Sequence, residues 1–191
     1  SVSHYEIDGL TFSLSYLSKG ESILRIEGGA SPDVSDTDPF FLERDPVLLP
    51  RSRAAGGGRT ARATEKWTRW VHETLSEHAV NRNRVRQGLD PFSIITLKWW
   101  GRPKPVWRFP ERHGLQGSLL GGSPFLAGLA KTVGLQSVNL PESDIPSVDL
   151  NERLDRAAVD LENGSTFVFL HQKAVDKAGH SKNPRERVRV I

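Results

Sequence analysis

The sequence contains no cysteine and no methionine, and the absence of cysteine limits the chemistry that the chain can support. Disulfide bonds and thiolate metal sites are excluded, so a bound metal ion would need carboxylate and imidazole ligands. No apolar run approaches the roughly 20 residues that a membrane helix requires, and the amino end shows no signal-peptide pattern. We therefore expect a cytoplasmic protein without a membrane partner.

An excess of charge of one sign is also missing. The 191 residues are 37% hydrophobic and 26% charged, which is ordinary for a globular protein with an apolar core. The formal net charge is only +3, and the basic residues are spread along the chain rather than gathered into one long run. This distribution is typical of a solvated surface, so nucleic acid is not expected as a partner.

Local patterns in the first part of the chain predict a mixed α+β domain. Four segments carry such patterns: an antiparallel hairpin over 5–16 and 22–26, a flexible basic loop over 51–62, an amphipathic helix over 63–77 and a strand over 93–99. The proline-containing segment 101–110 then marks a boundary. The predicted domains are residues 1–109 and 110–191.

Strands and helices alternate beyond this boundary. Strands are predicted over 115–120, 136–140 and 166–170. Ser123 is an N-cap with Pro124 at the first helical position, and Gly134 marks the end of that helix. A second helix opens at Asp149, and its apolar face comprises Leu150, Leu154, Ala157, Ala158 and Leu161. The alternation predicts an α/β fold with a parallel sheet and right-handed crossovers.

A candidate metal site follows the last of these strands. Asp176 and His180 come shortly after it, and in parallel sheets ligands gather beyond the carboxyl ends of the strands. A carboxylate oxygen and an imidazole nitrogen there can bind one divalent metal ion. The D-x-x-x-H spacing also recurs by chance, so the spacing alone favours an ordinary surface pair.

Other motifs accompany this pair in a defined order. They are SDTDP at 35–39, HAVN-x-x-R-x-x-x-G at 78–88 and K-A-x-D-x-A-G-H at 173–180. In this order they resemble motifs of the archaeal-type, cofactor-independent phosphoglycerate mutases, which belong to the alkaline phosphatase superfamily. The resemblance covers nearly the whole chain. It implies an inserted α+β cap domain at 1–109, followed at 110–191 by part of an alkaline-phosphatase-like parallel-sheet core.

The resemblance also implies a reaction. Such enzymes are isomerases of glycolysis that interconvert 3-phosphoglycerate and 2-phosphoglycerate through a phosphoserine, with two metal ions, usually manganese and alternatively zinc or magnesium. In the family the nucleophilic Ser and the first metal-binding Asp precede this region, and a further Asp-His pair follows it. We therefore expect the chain to be part of a longer protein, inactive without the missing remainder. The sequence does not indicate an oligomeric state.

The resemblance assigns roles to eight residues. Asp36, Asp38, Asn81 and Arg84 would bind the small phosphorylated acid, Asp176 and His180 would bind metal, and His171 and Lys173 would lie near the metal site. The chemistry of Arg84 agrees, since a guanidinium offers a planar, two-pronged donor set to carboxylates and phosphates. Composition alone leaves other functions open, because SDTDP favours an Asx-type turn, and Asn81 and His78 are good helix caps.

Three positions depart from the family pattern and leave alternative functions open. Phe40 stands where the family more often has His, Val175 where Pro is frequent, and Lys177 where an acidic residue is common. A metal-dependent phosphatase or phosphotransferase on the same scaffold is therefore one alternative. A non-catalytic anion-binding module that uses the basic stretch 51–62 is another.

Overall fold

The computed structural model describes residues 2–18, 20–40 and 47–190, and the chain divides into two compact units. Unit 1 comprises residues 1–103 and unit 2 comprises residues 104–191. The division lies inside the proline-containing connection, ahead of the predicted boundary at 109/110. Each unit contains a three-stranded sheet.

Unit 1 is an antiparallel sheet followed by two helices. Its elements are β1 (His4–Ile7), β2 (Leu10–Ser18), β3 (Glu21–Glu27), α1 (Gly58–Ser76) and α2 (Ala79–Arg86). β2 is central, with Phe12 opposite Tyr5 of β1 and Ile26 of β3. The first predicted strand is in fact two strands, joined by a turn at Asp8 and Gly9. Both residues have positive φ, as a two-residue Asp-Gly hairpin turn requires.

One face of α1 packs on this sheet. Leu10 and Phe12 are two residues apart in β2, so they point to the same side, where they meet Ala63, Trp67 and Val71 of α1. The rings of Phe12 and Trp67 are stacked with their centroids 5.9 Å apart. Burial of such large apolar side chains, at about 1.5–3 kcal/mol each, is the main stabilising contribution in unit 1.

The prediction of a flexible loop over 51–62 is wrong at its carboxyl end. α1 already begins at Gly58, and Gly57 immediately before it is buried. A Cβ on Gly57 would lie 2.2 Å from the carbonyl oxygen of Asp33, so only glycine allows this approach of two backbone segments. Gly57 is therefore needed for the close packing of two backbone segments rather than for flexibility.

Unit 2 is a parallel α/β structure, as predicted. Its elements are α3 (Phe109–His113), β4 (Gly117–Gly121), α4 (Pro124–Val133), β5 (Gln136–Asn139), α5 (Pro146–Glu162), β6 (Phe167–Leu170), α6 (Ala174–His180) and α7 (Pro184–Val190). The strand order is β5-β4-β6, and both pairings are parallel. The carboxyl ends of the three strands therefore meet at one edge of the sheet.

The predicted caps of α4 are confirmed. The Ser123 hydroxyl accepts a hydrogen bond from the Leu126 backbone N–H at 3.3 Å, and Pro124 is the first helical residue. Gly134 ends the helix with φ of 78°, a left-handed conformation that glycine adopts without strain. Leu126 and Ala130 of this helix pack with Leu119 of β4 to form the core of unit 2.

α5 packs in a different orientation from the one that its apolar pattern predicts. The helix begins at Pro146 rather than Asp149, and its buried side chains are those of Asp149, Arg153 and Asp160. The apolar stripe is on the outside, with Leu154 51% exposed. Burial of the polar face is tolerated because each buried carboxylate receives charge-assisted hydrogen bonds.

The prediction of a strand over 93–99 is wrong, because these residues have no regular secondary structure and no strand pairing. The segment is held by the backbone and side chain of Thr37 rather than by a sheet. Across the described ranges of the chain, no helix combines the length and apolar composition that crossing a bilayer requires.

Candidate functional site

Asp176 and His180 lie on the same face of α6, one helical turn apart. α6 follows β6 after a three-residue connection, so both residues come after the carboxyl edge of the sheet. The Nε2 atom of His180 lies 3.5 Å from Oδ1 of Asp176, and both side chains are exposed. A helix places residues i and i+4 side by side, so the two donor atoms are near enough to contact one metal ion.

The described residues do not complete this metal site. Within residues 2–18, 20–40 and 47–190, no three His, Asp or Glu side chains are grouped so that they could hold a metal ion. His171 continues the β6–β4 ladder through a backbone N–H that donates to the Leu120 carbonyl oxygen at 3.0 Å. Lys173 is the exposed residue that precedes α6. The described part of the chain therefore offers one carboxylate and one imidazole at this position.

The loop that follows β5 is held at the same edge by a buried ion pair. The guanidinium of Arg153 donates from Nε to Asp149 at 2.8 Å and from Nη2 to the carbonyl oxygen of Leu140 at 3.3 Å. Asp149 also accepts from the backbone N–H of Ser143 at 3.0 Å. The hydrogen bonds from Arg153 lower the pKa of Asp149 to about 2, despite the opposing effect of burial. The sequence patterns did not single out this pair.

A second buried carboxylate fixes α5 to the sheet. Asp160 accepts hydrogen bonds from the hydroxyl of Ser118 in β4 and from Nε of Arg156. Burial raises the pKa of Asp160, but these hydrogen bonds outweigh burial and the net shift is downward. The carboxylate therefore remains ionised and holds the helix in register with the central strand.

A cavity of about 370 Å³ lies between this loop and the last two helices. Lys173 and Lys177 line it, together with Glu142. The ammonium of Lys177 lies 2.6 Å from the Glu142 carboxylate, which raises the pKa of Lys177. Asp176 and His180 are not among the residues that line it, so the candidate metal ligands and the cavity are separate features of unit 2.

The SDTDP motif forms an irregular turn in unit 1 around buried Thr37. The Thr37 backbone N–H donates to the Leu97 carbonyl oxygen at 2.8 Å, and the Leu97 N–H donates to the Thr37 hydroxyl at 2.7 Å. Asp36 accepts from the Trp99 N–H at 3.1 Å. Asp38 accepts from the N–H of Phe40 at 2.9 Å, which is the expected Asx turn. Each carboxylate thus keeps one oxygen without a backbone partner in the described part of the chain.

Asn81 and Arg84 lie on α2. His78 is the N-cap of this helix, as predicted, since its Nδ1 accepts from the Val80 N–H. Asn81 is inside the helix and not a cap. Its buried amide donates to the carbonyl oxygens of Leu75 and Phe92 at 2.7 and 2.8 Å, and accepts from the Phe92 N–H at 2.9 Å. Asn81 therefore positions the segment that begins at Phe92.

Arg84 is oriented by two contacts. Its Nε donates to the Asp90 carbonyl oxygen at 2.7 Å, and its guanidinium carbon lies 4.0 Å from the centroid of the Phe92 ring. No partner for its two terminal nitrogens is present among the described residues. The guanidinium is therefore held in place while its outer edge can still bind an anion.

Asp36 and Asp38 share one turn, and Asn81 and Arg84 share one helix. The irregular segment 92–99 links the two pairs. Phe92 at its start is bonded to Asn81, and Trp99 at its end is bonded to Asp36. Lys98 lies in this segment and belongs to none of the sequence motifs. Its ammonium nitrogen lies 3.9 Å from Asp38 Oδ2 and 4.5 Å from the centroid of the Trp99 ring.

Comparison with known proteins agrees with the resemblance. The chain is 32% identical, over 97% of its length, to 2,3-bisphosphoglycerate-independent phosphoglycerate mutase 2 of Methanocaldococcus jannaschii, and covers 44% of that protein. It is 30% identical, over 89% of its length, to the 2,3-bisphosphoglycerate-independent phosphoglycerate mutase of Methanopyrus kandleri, and covers 41% of it. No protein-family model matches the chain.

Solved structures support the fold. The cofactor-independent phosphoglycerate mutase of Thermoplasma acidophilum matches with a TM-score of 0.57 and 24% identity, over 88% of this chain and 45% of that one. The PH0037 protein of Pyrococcus horikoshii matches with a TM-score of 0.53 and 19% identity, over 69% of this chain and 34% of that one. The chain therefore belongs to the family of 2,3-bisphosphoglycerate-independent phosphoglycerate mutases and spans somewhat less than half the length of the curated relatives that it matches.

Proposed function

We propose that this chain forms the substrate-binding domain and part of the metal-binding core of a cytoplasmic phosphoglycerate mutase. The enzyme would interconvert 3-phosphoglycerate and 2-phosphoglycerate in glycolysis. The observation that carries this proposal is the 32% identity, over 97% of the chain, with the mutase of Methanocaldococcus jannaschii. In this assignment residues 1–109 form the inserted cap and residues 110–191 the partial core.

On the substrate side, Arg84 is the principal anion-binding residue. Its guanidinium stacks on Phe92, which leaves the terminal nitrogens to form charge-assisted hydrogen bonds with a carboxylate or phosphate. Asn81 supports this site by holding Phe92 through both its backbone N–H and its carbonyl oxygen. Asp36 and Asp38 hold the neighbouring turn, and in each carboxylate the oxygen that accepts no backbone hydrogen bond would accept from a substrate hydroxyl.

On the metal side, Asp176 and His180 are the proposed ligands, with His171 and Lys173 nearby. One carboxylate oxygen and one imidazole nitrogen suit manganese, zinc or magnesium only as part of a larger ligand set. The remaining ligands and the Ser that forms the phosphoserine would come from outside these residues. Bound metal reduces the repulsion between a phosphate ester and the attacking oxygen.

Calorimetric titration of the purified chain with 3-phosphoglycerate tests the substrate side. We expect saturable binding that Arg84→Ala weakens about tenfold, because a hydrogen bond to a charged group contributes about 1.5–3 kcal/mol. Arg82→Ala is the matched control, since Arg82 lies on the same helix and its side chain donates a hydrogen bond to the Glu77 carbonyl oxygen, away from Phe92. Equal affinities of wild type and Arg84→Ala would refute the role of Arg84.

Product analysis tests the reaction itself. The chain alone, with manganese, is expected to form no 2-phosphoglycerate, because a covalent route needs its nucleophile. Conversion above a metal-only control would show that the nucleophile lies within these residues.

A metal-dependent phosphatase or phosphotransferase is the second candidate, favoured by Phe40 at a position where the family more often has His. In a complete enzyme, release of inorganic phosphate instead of the isomeric acid would identify the phosphatase.

A further inference from the structure

Five residues of unit 1 form a cluster that no sequence motif contains as a whole. We call this group the Lys98 cluster, and its members are Asp36, Asp38, Phe40, Lys98 and Trp99. The ammonium nitrogen of Lys98 lies 4.5 Å from the centroid of the Trp99 ring, 5.8 Å from that of Phe40 and 3.9 Å from Asp38 Oδ2. Two aromatic rings and one carboxylate thus surround one cation.

The two aromatic residues have strained backbones. Phe40 has φ of 41° and Trp99 has φ of 63°, in the left-handed region that bulky residues rarely adopt. Each is stabilised by a carboxylate, since Asp38 accepts from the Phe40 N–H and Asp36 accepts from the Trp99 N–H. Such strain costs on the order of 1–3 kcal/mol per residue and persists where the surrounding structure enforces it. The two aspartates therefore hold the backbone from which both rings extend.

The ammonium of Lys98 has a defined position, but its hydrogen-bond donors have no acceptor among the described residues. Its 3.9 Å separation from Asp38 is an ion pair too long for a hydrogen bond, and no hydrogen-bond acceptor for it is present among the described residues. An ammonium has three N–H donors, and the faces of aromatic rings attract the cation without accepting in the manner of an oxygen. Since the side chain is 38% exposed, a ligand from solvent can reach those donors.

We propose that Lys98 binds an anionic oxygen of the phosphorylated acid substrate. This inference rests on the function proposed above and adds a second cationic residue, after Arg84, to the proposed substrate side. Phe40, Trp99 and Asp38 would position the ammonium. The anionic oxygen belongs either to the carboxylate or to the phosphate, and both offer the same acceptor chemistry.

Three ligands distinguish these sources in a titration of the purified chain. They are 3-phosphoglycerate with both anionic groups, glycerol 3-phosphate without the carboxylate, and glycerate without the phosphate. Lys98→Met removes the charge but keeps an apolar stem of similar length, and Lys98→Arg keeps the charge. The matched control is Lys66→Met, because Lys66 is also an exposed lysine of unit 1 paired with an aspartate, at 3.0 Å.

We expect Lys98→Met to weaken binding of 3-phosphoglycerate about tenfold, Lys98→Arg to recover most of this loss, and Lys66→Met to bind as wild type. Lys98→Met should also weaken only one of the two smaller ligands, the one that carries the contacted group. An equal loss with all three ligands would indicate a structural effect and overturn the inference. Unchanged affinity in Lys98→Met would overturn it too while leaving the proposed function standing. Failure of wild type to bind any ligand would overturn both.

Discussion

Removal of the Asp149 carboxylate is expected to destabilise unit 2 strongly. Asp149 and Arg153 are 3% and 1% exposed, and two hydrogen bonds join their side chains at 2.8 and 2.9 Å. The pair holds the loop after β5, because Asp149 accepts from the Ser143 N–H and Arg153 donates to the Leu140 carbonyl oxygen. Asp149→Ala would leave a buried guanidinium whose Nη1 already has no partner among the described residues.

Two arguments give the size of the stability loss that Asp149→Ala is expected to cause. Removing one partner of a buried ion pair costs about 3–5 kcal/mol, since the remaining charge is uncompensated. Independently, the pKa of Asp149 falls from 3.8 to about 2 on folding, which corresponds to about 2 kcal/mol of pH-dependent stability. The folded-state pKa is the lower one, so this contribution is complete above about pH 4 and is lost as the pH falls towards 2.

Hydrogen exchange of the β4 amides is the appropriate measurement. Four of the five tryptophans lie in unit 1, so tryptophan fluorescence would report mainly on the other unit. We expect Asp149→Ala to lower the protection of β4 by about 3 kcal/mol or more, and the exposed control Asp155→Ala on the same helix to change it little. Asp149→Leu combined with Arg153→Met should recover part of the loss, because neither charge is then buried.

Two results would refute this reasoning. A loss of protection below about 1 kcal/mol in Asp149→Ala would show that the ion pair is not buried in solution. An equally steep loss of stability between pH 4 and pH 2 in wild type and in Asp149→Asn would show that another group is responsible for the acid sensitivity.

Two further predictions concern the candidate site. Asn81→Ala should lower the free energy of unfolding by about 2–3 kcal/mol, because it leaves buried backbone groups of Leu75 and Phe92 unpaired. Urea denaturation followed by tryptophan fluorescence measures this loss. An unchanged denaturation midpoint would show that water replaces the amide. In a complete enzyme, Asp176→Ala or His180→Ala should lower the metal content per chain and reduce turnover by orders of magnitude with the fold unchanged, since both side chains are exposed. Full metal occupancy and normal turnover in both variants would identify a simple surface pair.

Local chemistry made much of the fold predictable. The amphipathic pattern over 63–77 predicted α1, whose buried face includes Trp67 and Val71, and Ser123 and Gly134 marked the ends of α4. These features depend on residues within one or two turns of each other, so their physical causes are contained in short stretches of sequence. The Asp8-Gly9 turn was an equally local signal that the hydrophobic pattern obscured.

The sequence by itself determined the family, the order of the elements and the residue types available for binding anions and metal. Only the tertiary structure decided that α5 buries its polar face, because the pairing of Asp160 with Ser118 joins residues 42 positions apart. The Lys98 cluster likewise depends on contacts between two distant segments, such as Asp36 with Trp99, 63 positions away. Apolar periodicity records which side chains gain from burial, whereas a buried charge is tolerated only where its hydrogen-bonding groups are satisfied. Part of that satisfaction comes from the same helix, as from Arg153 to Asp149, and part from distant segments, as from Ser118 to Asp160.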